Sequence, residues 1–181
     1  LHLQVLAQLH DSYILCSNEE GLVIVDQHAA QERYHYEQLN EKLLVQCTNK
    51  QPLMVPIQLD VSSNVLAQYM TINEKTAFFG IEFEPFGTDQ LILREIPLWF
   101  HDVDQKQFLQ DLLDYFVENQ DVDMAKLRKH MIATMACHSS IRFNRPLSMQ
   151  EMEQVILDLQ KCKQPYHCPH GRPTVIVMSD G

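Results

Sequence analysis

Asp26-Gln27-His28-Ala29-Ala30-Gln31-Glu32-Arg33-Tyr34-His35-Tyr36-Glu37 follows directly on Gly21-Leu22-Val23-Ile24-Val25, and the join between the two stretches decides how the chain is read. The leading five residues open with Gly and are rich in β-branched side chains, the pattern of a buried strand. Asp26 therefore stands at a strand end, where its carboxylate can also cap the helix predicted from residue 27 to about 46. On that helix His28, Glu32, His35 or Tyr36, Leu39 and Leu43 form one stripe, because side chains three, four and seven apart share a face. Leu39 and Leu43 read as core. A helix lying on a core would carry apolar residues at positions 28 and 32 too, since an unpaired buried carboxylate is costly. A bound cation removes that penalty. The alternative is a solvated first turn with a capping Asp and an incidental His, and the His-x-x-x-Glu spacing alone does not separate the two.

Two later stretches bear on the choice. Ala136-Cys137-His138 and His167-Cys168-Pro169-His170-Gly171-Arg172-Pro173 supply thiolates and imidazoles, which zinc prefers. Cys168 and His170, two apart around a rigid proline, can converge on one ion, and Gly171 lets the backbone turn immediately afterwards. Arg172 has two assignments: a bidentate contact to phosphate, or an ion pair with a ligating carboxylate. The same turn also reads as an ordinary loop punctuated by Pro and Gly.

Residues 26 to 37 resemble the D-Q-H-A-x-x-E-x-x-x-x-E signature of the endonuclease-type C-terminal domains of the MutL mismatch-repair family. Ala136-Cys137 and Cys168-Pro169-His170-Gly171-Arg172-Pro173 resemble that family's two further motifs, in the same order and at similar separation, so the resemblance spans essentially all 181 residues. It implies a homodimerising, metal-dependent endonuclease domain that nicks one strand of duplex DNA, with Asp26, His28 and Glu32 catalytic. His28, Glu32, Cys137, Cys168 and His170 are the expected Zn²⁺ ligands. Asp26 completes a second, more exchangeable position for Mn²⁺ or Mg²⁺, because soft thiolates hold zinc while carboxylates and water suit harder ions. Glu37 belongs to the signature but lies roughly opposite His28 on a helical wheel, so it is carried over only as a supporting residue. Position 138 is His where the family pattern has Lys or Arg; His138 either ligates or lowers the positive charge available for DNA. The resemblance also implies an ATPase N-terminal part joined by a linker, with ATP acting only through it, and a mismatch-recognition protein as partner of the full-length chain.

Gln51-Pro52-Leu53-Met54-Val55-Pro56 resembles the short Gln-led motif with which bacterial members of the family dock on the replication sliding clamp. A proline-framed extended segment loses little entropy on binding, Gln51 offers an amide, and Leu53, Val55 and Pro56 can enter an apolar groove. An edge strand at a subdomain boundary explains the same residues, since two prolines keep them out of a sheet centre.

Charge constrains the mechanism. Fourteen Lys and Arg against twenty-four Asp and Glu give a formal charge of −10, whereas a self-sufficient duplex binder shows a basic face. Duplex DNA is therefore expected to be held weakly by this domain alone, with bound cations reversing the sign of the site locally. An odd count of five cysteines with no signal-peptide pattern argues for reduced thiols in a cytoplasmic, nucleoid-associated protein. No apolar run approaches the roughly 18 residues of a membrane span. The opening directly in a strand-like pattern at Leu3 to Leu9 leads us to expect a piece of a longer protein.

The fold expected is α/β (α+β). Strands at residues 2–9, 13–17 and 21–26 feed the helix, residues 81–86 and 90–96 make further strands, and Gln105–Glu118 is an amphipathic helix. Residues 123 to about 143 form a long helix, buried on most sides, that delivers Cys137 into the interior. Ser148 and Glu151 make a capping box for a last helix. Residues 1–50 with 131–181 form the dimerisation and catalytic subdomain, and 51–130 a smaller inserted α/β regulatory subdomain. Three functional classes compete: a nicking endonuclease, a non-catalytic dimerisation module, and a structural zinc domain. The last leaves Asp26 without a role.

Overall fold

The structure is a computed structural model that describes residues 2–179. In chain order its elements are strands β1 (Gln4–Leu9), β2 (Tyr13–Asn18) and β3 (Gly21–Asp26), helix α1 (Gln27–Lys42), strand β4 (Lys50–Asp60) and helix α2 (Ser63–Thr76). There follow β5 (Glu84–Phe86), β6 (Gln90–Pro97), α3 (Gln105–Glu118), α4 (Met124–Cys137), α5 (Met149–Lys161) and β7 (Val175–Ser179). The fold is mixed α/β, as the sequence predicts. Two compact units divide it, Leu1–Gln38 with Arg142–Gly181, and Leu39–Ile141. The second unit interrupts the first between residues 38 and 142. The end of α1 and all of α4 go with the inserted unit.

The first unit is an antiparallel sheet in the order β1-β2-β3-β7. Strand alternation turns Ile14, Cys16, Val23 and Val25 to one face, where Met152, Val155, Ile156 and Leu159 of α5 and Ala30 of α1 cover them. Helix α5 starts with the predicted capping box: Ser148 Oγ accepts from Glu151 N, and Glu151 returns a bond to Ser148 N. On the opposite face Leu15, Ile24 and Ile176 lie in one row across three strands, and Leu22 stands beside Met178. Ile176 and Met178 are both 54% exposed.

Helix α1 corrects the predicted face. Its buried residues are Gln27, Ala29, Ala30 and Arg33, so the core side is built from small residues and two polar ones, and His28 and Glu32 sit beside it. Small side chains let the helix approach the sheet closely, which a stripe through His28 and Glu32 would not.

In the second unit β4, β6 and β5 make a three-stranded sheet with β4 on an edge. Residues 51–56 are the start of this eleven-residue strand, in keeping with the edge-strand reading of the segment. The pairing jumps from Pro52↔Glu95 to Ile57↔Leu93, so Leu53 to Pro56 bulge out of the ladder. The strand predicted at 81–86 shrinks to 84–86, with Ile81 and Phe83 buried ahead of it and Phe83 N bonded to the Asn73 side chain instead of a strand. Helix α3 has the predicted bounds, buries Phe108, Leu109, Leu112 and Leu113, and is capped by Asp104. Helix α4 ends at Cys137 with His138 as its C-cap, six residues before the predicted end. It buries Leu127, Met131, Ile132, Thr134 and Met135 and leaves Ala133 and Ala136 exposed.

Candidate metal centre

The β3–α1 join sets the first side chains. Asp26 N donates to Thr174 O at 2.8 Å, which fixes the strand end. Its Oδ1 accepts from Ala29 N at 3.0 Å, so Asp26 caps α1 as expected. Its Oδ2 lies 3.8 Å from Arg172 Nη2. Within α1, His28 and Glu32 are neighbours four apart, with Nε2 to Oε2 at 3.3 Å. The other oxygen of the same carboxylate, Oε1, meets His170 Nδ1 at 2.5 Å. Glu32 is thus bracketed by two imidazoles and is largely buried.

The turn that brings His170 there is built on its own backbone. Cys168 N donates to Arg172 O and Gly171 N to Cys168 O, at 2.8 and 2.9 Å. Gly171 takes φ +89°, where any other residue would be strained although there is open space around it. The Cys168 side chain is 2% exposed and its Sγ accepts from Arg172 N at 3.3 Å.

Behind the turn stand two residues of α1. Arg33, buried, donates from Nε to His167 O at 2.7 Å and lies 3.7 Å from Glu37 Oε2. Glu37 accepts from Lys163 N at 2.6 Å and Gln164 N at 3.3 Å, closing the segment that leaves α5. Arg33 was not singled out in the sequence; an Arg three and four residues past the core-facing Ala30 and Ala29, on the same helical face, is the signal that points to it.

Among the described residues, Glu32, Cys168 and His170 have ligand atoms all within 4.8 Å of one another. Ligands around tetrahedral zinc stand about 3.3 to 3.8 Å apart, so a small contraction would close the group on an ion. One thiolate, one imidazole and one carboxylate is a donor set suited to zinc. His28 approaches Glu32's other oxygen, and Asp26 meets the ligand turn through Arg172. Cys137 belongs to the other unit, as the exposed last residue of α4, which corrects the expectation of an interior position. His138 is engaged by Asp111 at 2.5 Å, a contact that holds the Asp111 carboxyl below its usual range. Burial pushes the Cys16 thiol up to about 11, and burial with the nearby Glu37 carboxylate does the same for Cys162. Both are neutral packing residues.

In the second unit, Gln51 is exposed, Leu53 and Pro56 are half-buried, and Met54 and Val55 project from the bulge at 102% and 79% exposure.

A sequence model of the MutL C-terminal dimerisation domain matches residues 6–147 of the chain. The chain belongs to this family. Its relatives include the DNA mismatch repair protein MutL of Exiguobacterium sibiricum, 39% identical over 175 residues that cover 97% of this chain and 29% of that protein. MutL of Lactococcus lactis subsp. lactis is 36% identical over 180 residues, covering 98% and 27%, and MutL of Staphylococcus carnosus 34% identical over 182, covering 99% and 28%. The chain therefore spans less than a third of these MutL relatives. The family match ends before the Cys168 turn, whereas an alignment covering 99% of the chain includes it.

Proposed function

We propose that this MutL-family domain is a metal-dependent endonuclease module that nicks one strand of duplex DNA and holds two copies of the protein together. The observation that carries the reading is the convergence of Glu32, Cys168 and His170 beside His28 and Asp26. Glu32, Cys168, His170 and His28 would hold Zn²⁺, with Cys137 as the ligand expected from the resemblance, and Asp26 would serve an exchangeable Mn²⁺ or Mg²⁺. Bound divalent ions supply Lewis acidity toward phosphate and activate water. Asp26 orients the attacking water from the start of a rigid helix, and Arg172, 3.8 Å away and more than half exposed, is free to exchange that carboxylate for a phosphate oxygen.

The test combines metal content with nicking. Purified chain should contain zinc that Cys168→Ser removes, and the full-length protein should nick supercoiled plasmid with Mn²⁺ while Asp26→Asn does not. A zinc-free chain unaltered by Cys168→Ser overturns the metal reading; near wild-type nicking by Asp26→Asn overturns the catalytic one.

One observation favours the non-catalytic alternative, a dimerisation domain with a structural zinc site. Asp26 already has structural work as the α1 cap and the Arg172 partner. Asn caps as well as Asp, so the same variant separates the two readings.

Homodimerisation is supported by the family's character and by the uncovered sheet face of Leu15, Ile24, Ile176, Leu22 and Met178. Ile176→Glu should turn a dimer into a monomer in sedimentation. The bulged segment with Gln51, Leu53, Val55 and Pro56 is proposed to dock on the sliding clamp, because its side chains project from an edge strand whose bulge prevents regular pairing with another sheet. Tethering to a ring threaded on DNA compensates for the charge of −10. Stimulation by the clamp should fail in a Gln51→Ala, Leu53→Ala, Val55→Ala variant with normal zinc content. ATP and a mismatch-recognition protein would act through parts of the longer protein, in the cytoplasm at the nucleoid. Among the described residues no helix is long and apolar enough to cross a membrane.

A further inference from the structure

Residues 143–147 belong to no helix or strand, yet they are tied down from two directions. The Gln27 side chain, fully buried, donates from Nε2 to Phe143 O at 2.5 Å and to Arg145 O at 3.0 Å, and its Oε1 accepts from Gln8 Nε2 at 2.7 Å. Gln8 also donates to Arg145 O at 2.8 Å and accepts from Leu147 N at 3.0 Å. Breaking any of these leaves a polar group unpaired, the buried Gln27 amide above all, so the network holds the segment in one conformation.

Gln27 is the first residue of α1, so the segment is registered to the turn that carries His28. The Phe143 ring stands edge-on to the His28 imidazole, centroids 5.3 Å apart at 84°, and lies 5.3 Å from the His35 ring. His28 is thus gripped at two points, by the Glu32 carboxylate on Nε2 and by an aromatic ring on its flank. A carboxylate at one nitrogen alone leaves the ring free to change rotamer, because its side chain is 40% exposed. The second contact removes that freedom.

We infer that Phe143 is a positioning residue for the metal centre: held by Gln27, its ring fixes the orientation of the His28 imidazole. The inference rests on the reading of His28 as a ligand proposed above. Groups that orient a ligand from outside the coordination sphere typically alter metal affinity by about 10- to 100-fold when removed.

The experiment uses the 181-residue chain, with imidazole ¹H–¹⁵N spectra recorded metal-free and Zn²⁺ affinity measured by competition with a chelator. Wild type and Phe143→Tyr should show the same single set of His28 nitrogen shifts. Phe143→Ala should average its nitrogen shifts and weaken Zn²⁺ roughly 10-fold, at an unchanged pattern for the other histidines apart from His35. Gln27→Glu should act in the same direction, because a carboxylate cannot donate to the carbonyls of Phe143 and Arg145. His28→Ala assigns the signals and controls the ligand role. Unchanged His28 shifts in Phe143→Ala overturn the inference whatever the affinity. Altered shifts together with wild-type Zn²⁺ affinity in His28→Ala support orientation by Phe143 and overturn only His28 as a ligand.

Discussion

Helix α5 meets its sheet with Met152, Val155, Ile156 and Leu159, whereas the first turns of α1 bury Gln27, Ala29, Ala30 and Arg33. Helix α5 and the first turns of α1 belong to one unit and share one core cluster, which α1 enters through Ala30. The apolar stripe of α5 is a source of stability and nothing else. Helix α1 trades apolar burial for close approach and specific polar bonds: Gln27 to residues 143 and 145, Arg33 to His167. That arrangement leaves His28 and Glu32 on the adjoining face, positioned but not consumed by packing. A helix whose inner face is held by hydrogen bonds can present ligands with little rotational slack, and the cost is that each of its polar contacts matters singly.

The sharpest way to break this comparison is a cavity in α5. Leu159 is 1% exposed, and Leu159→Ala should destabilise the chain by about 2 to 5 kcal/mol in denaturant melts, as buried Leu→Ala changes do. Under native conditions its zinc content should match wild type. Loss of zinc in a variant that remains folded would show that α5 shapes the metal centre after all.

Arg33→Ala is expected to reverse that pattern. It removes a charged donor to the His167 carbonyl and the partner of Glu37, worth about 1.5 to 3 kcal/mol, and it frees the His167 end of the ligand turn. Zinc affinity should fall along with stability, and Arg33→Lys should restore little, since an ammonium does not reproduce the guanidinium fork. An Arg33→Ala chain with wild-type zinc affinity would mean that the turn holds itself.

The same contrast governs what could be read in the sequence. Helix α3 was legible at both ends and α5 at its start, because a 3.6-residue apolar period and a Ser–Glu capping box are local signals. The Glu32, Cys168 and His170 convergence was legible as a motif, since those residue types have few other reasons to recur together. The inner face of α1 was not. Ala29 and Ala30 carry almost no hydrophobic signal, and Gln27 and Arg33 are buried only because distant carbonyls at 143, 145 and 167 await them. The edge strand offered as one reading of residues 51–56 is the start of β4, and its edge position and bulge accommodate Pro52 and Pro56; its continuation through residues 57–60 had no signal. The early end of α4 at Cys137 reflects His138 leaving the helix to meet Asp111, a contact with no local signature.

Alkaline pH probes the packing side of the comparison. The thiols of Cys16, in the sheet core, and Cys162, at the end of α5, are raised from 9.0 to about 11 in the folded state. Below pH 9 both states carry neutral thiols and the full stability is present. Between about pH 9 and 11 the unfolded chain ionises first, so stability falls as pH rises through that window. Cys16→Ala with Cys162→Ala should lower stability at pH 7 but flatten this alkaline limb. A limb of unchanged slope would assign it to other groups.

The smallest expected effect compares the two caps. Ser148→Ala removes the Oγ that accepts from Glu151 N in α5 and half of the capping box, and should cost about 1 kcal/mol. Asp26→Asn keeps an oxygen facing Ala29 N and loses only a long, half-exposed ion pair with Arg172, worth about 0 to 1 kcal/mol. Its melt should therefore nearly superimpose on that of wild type. This near-silence is what gives the variant its value at the metal centre: lost nicking in a chain of unchanged stability can be charged to the carboxylate's chemistry. If Asp26→Asn instead destabilises more than Ser148→Ala, Asp26 is chiefly a structural residue of the β3–α1 join, and the non-catalytic reading of the site gains its strongest support.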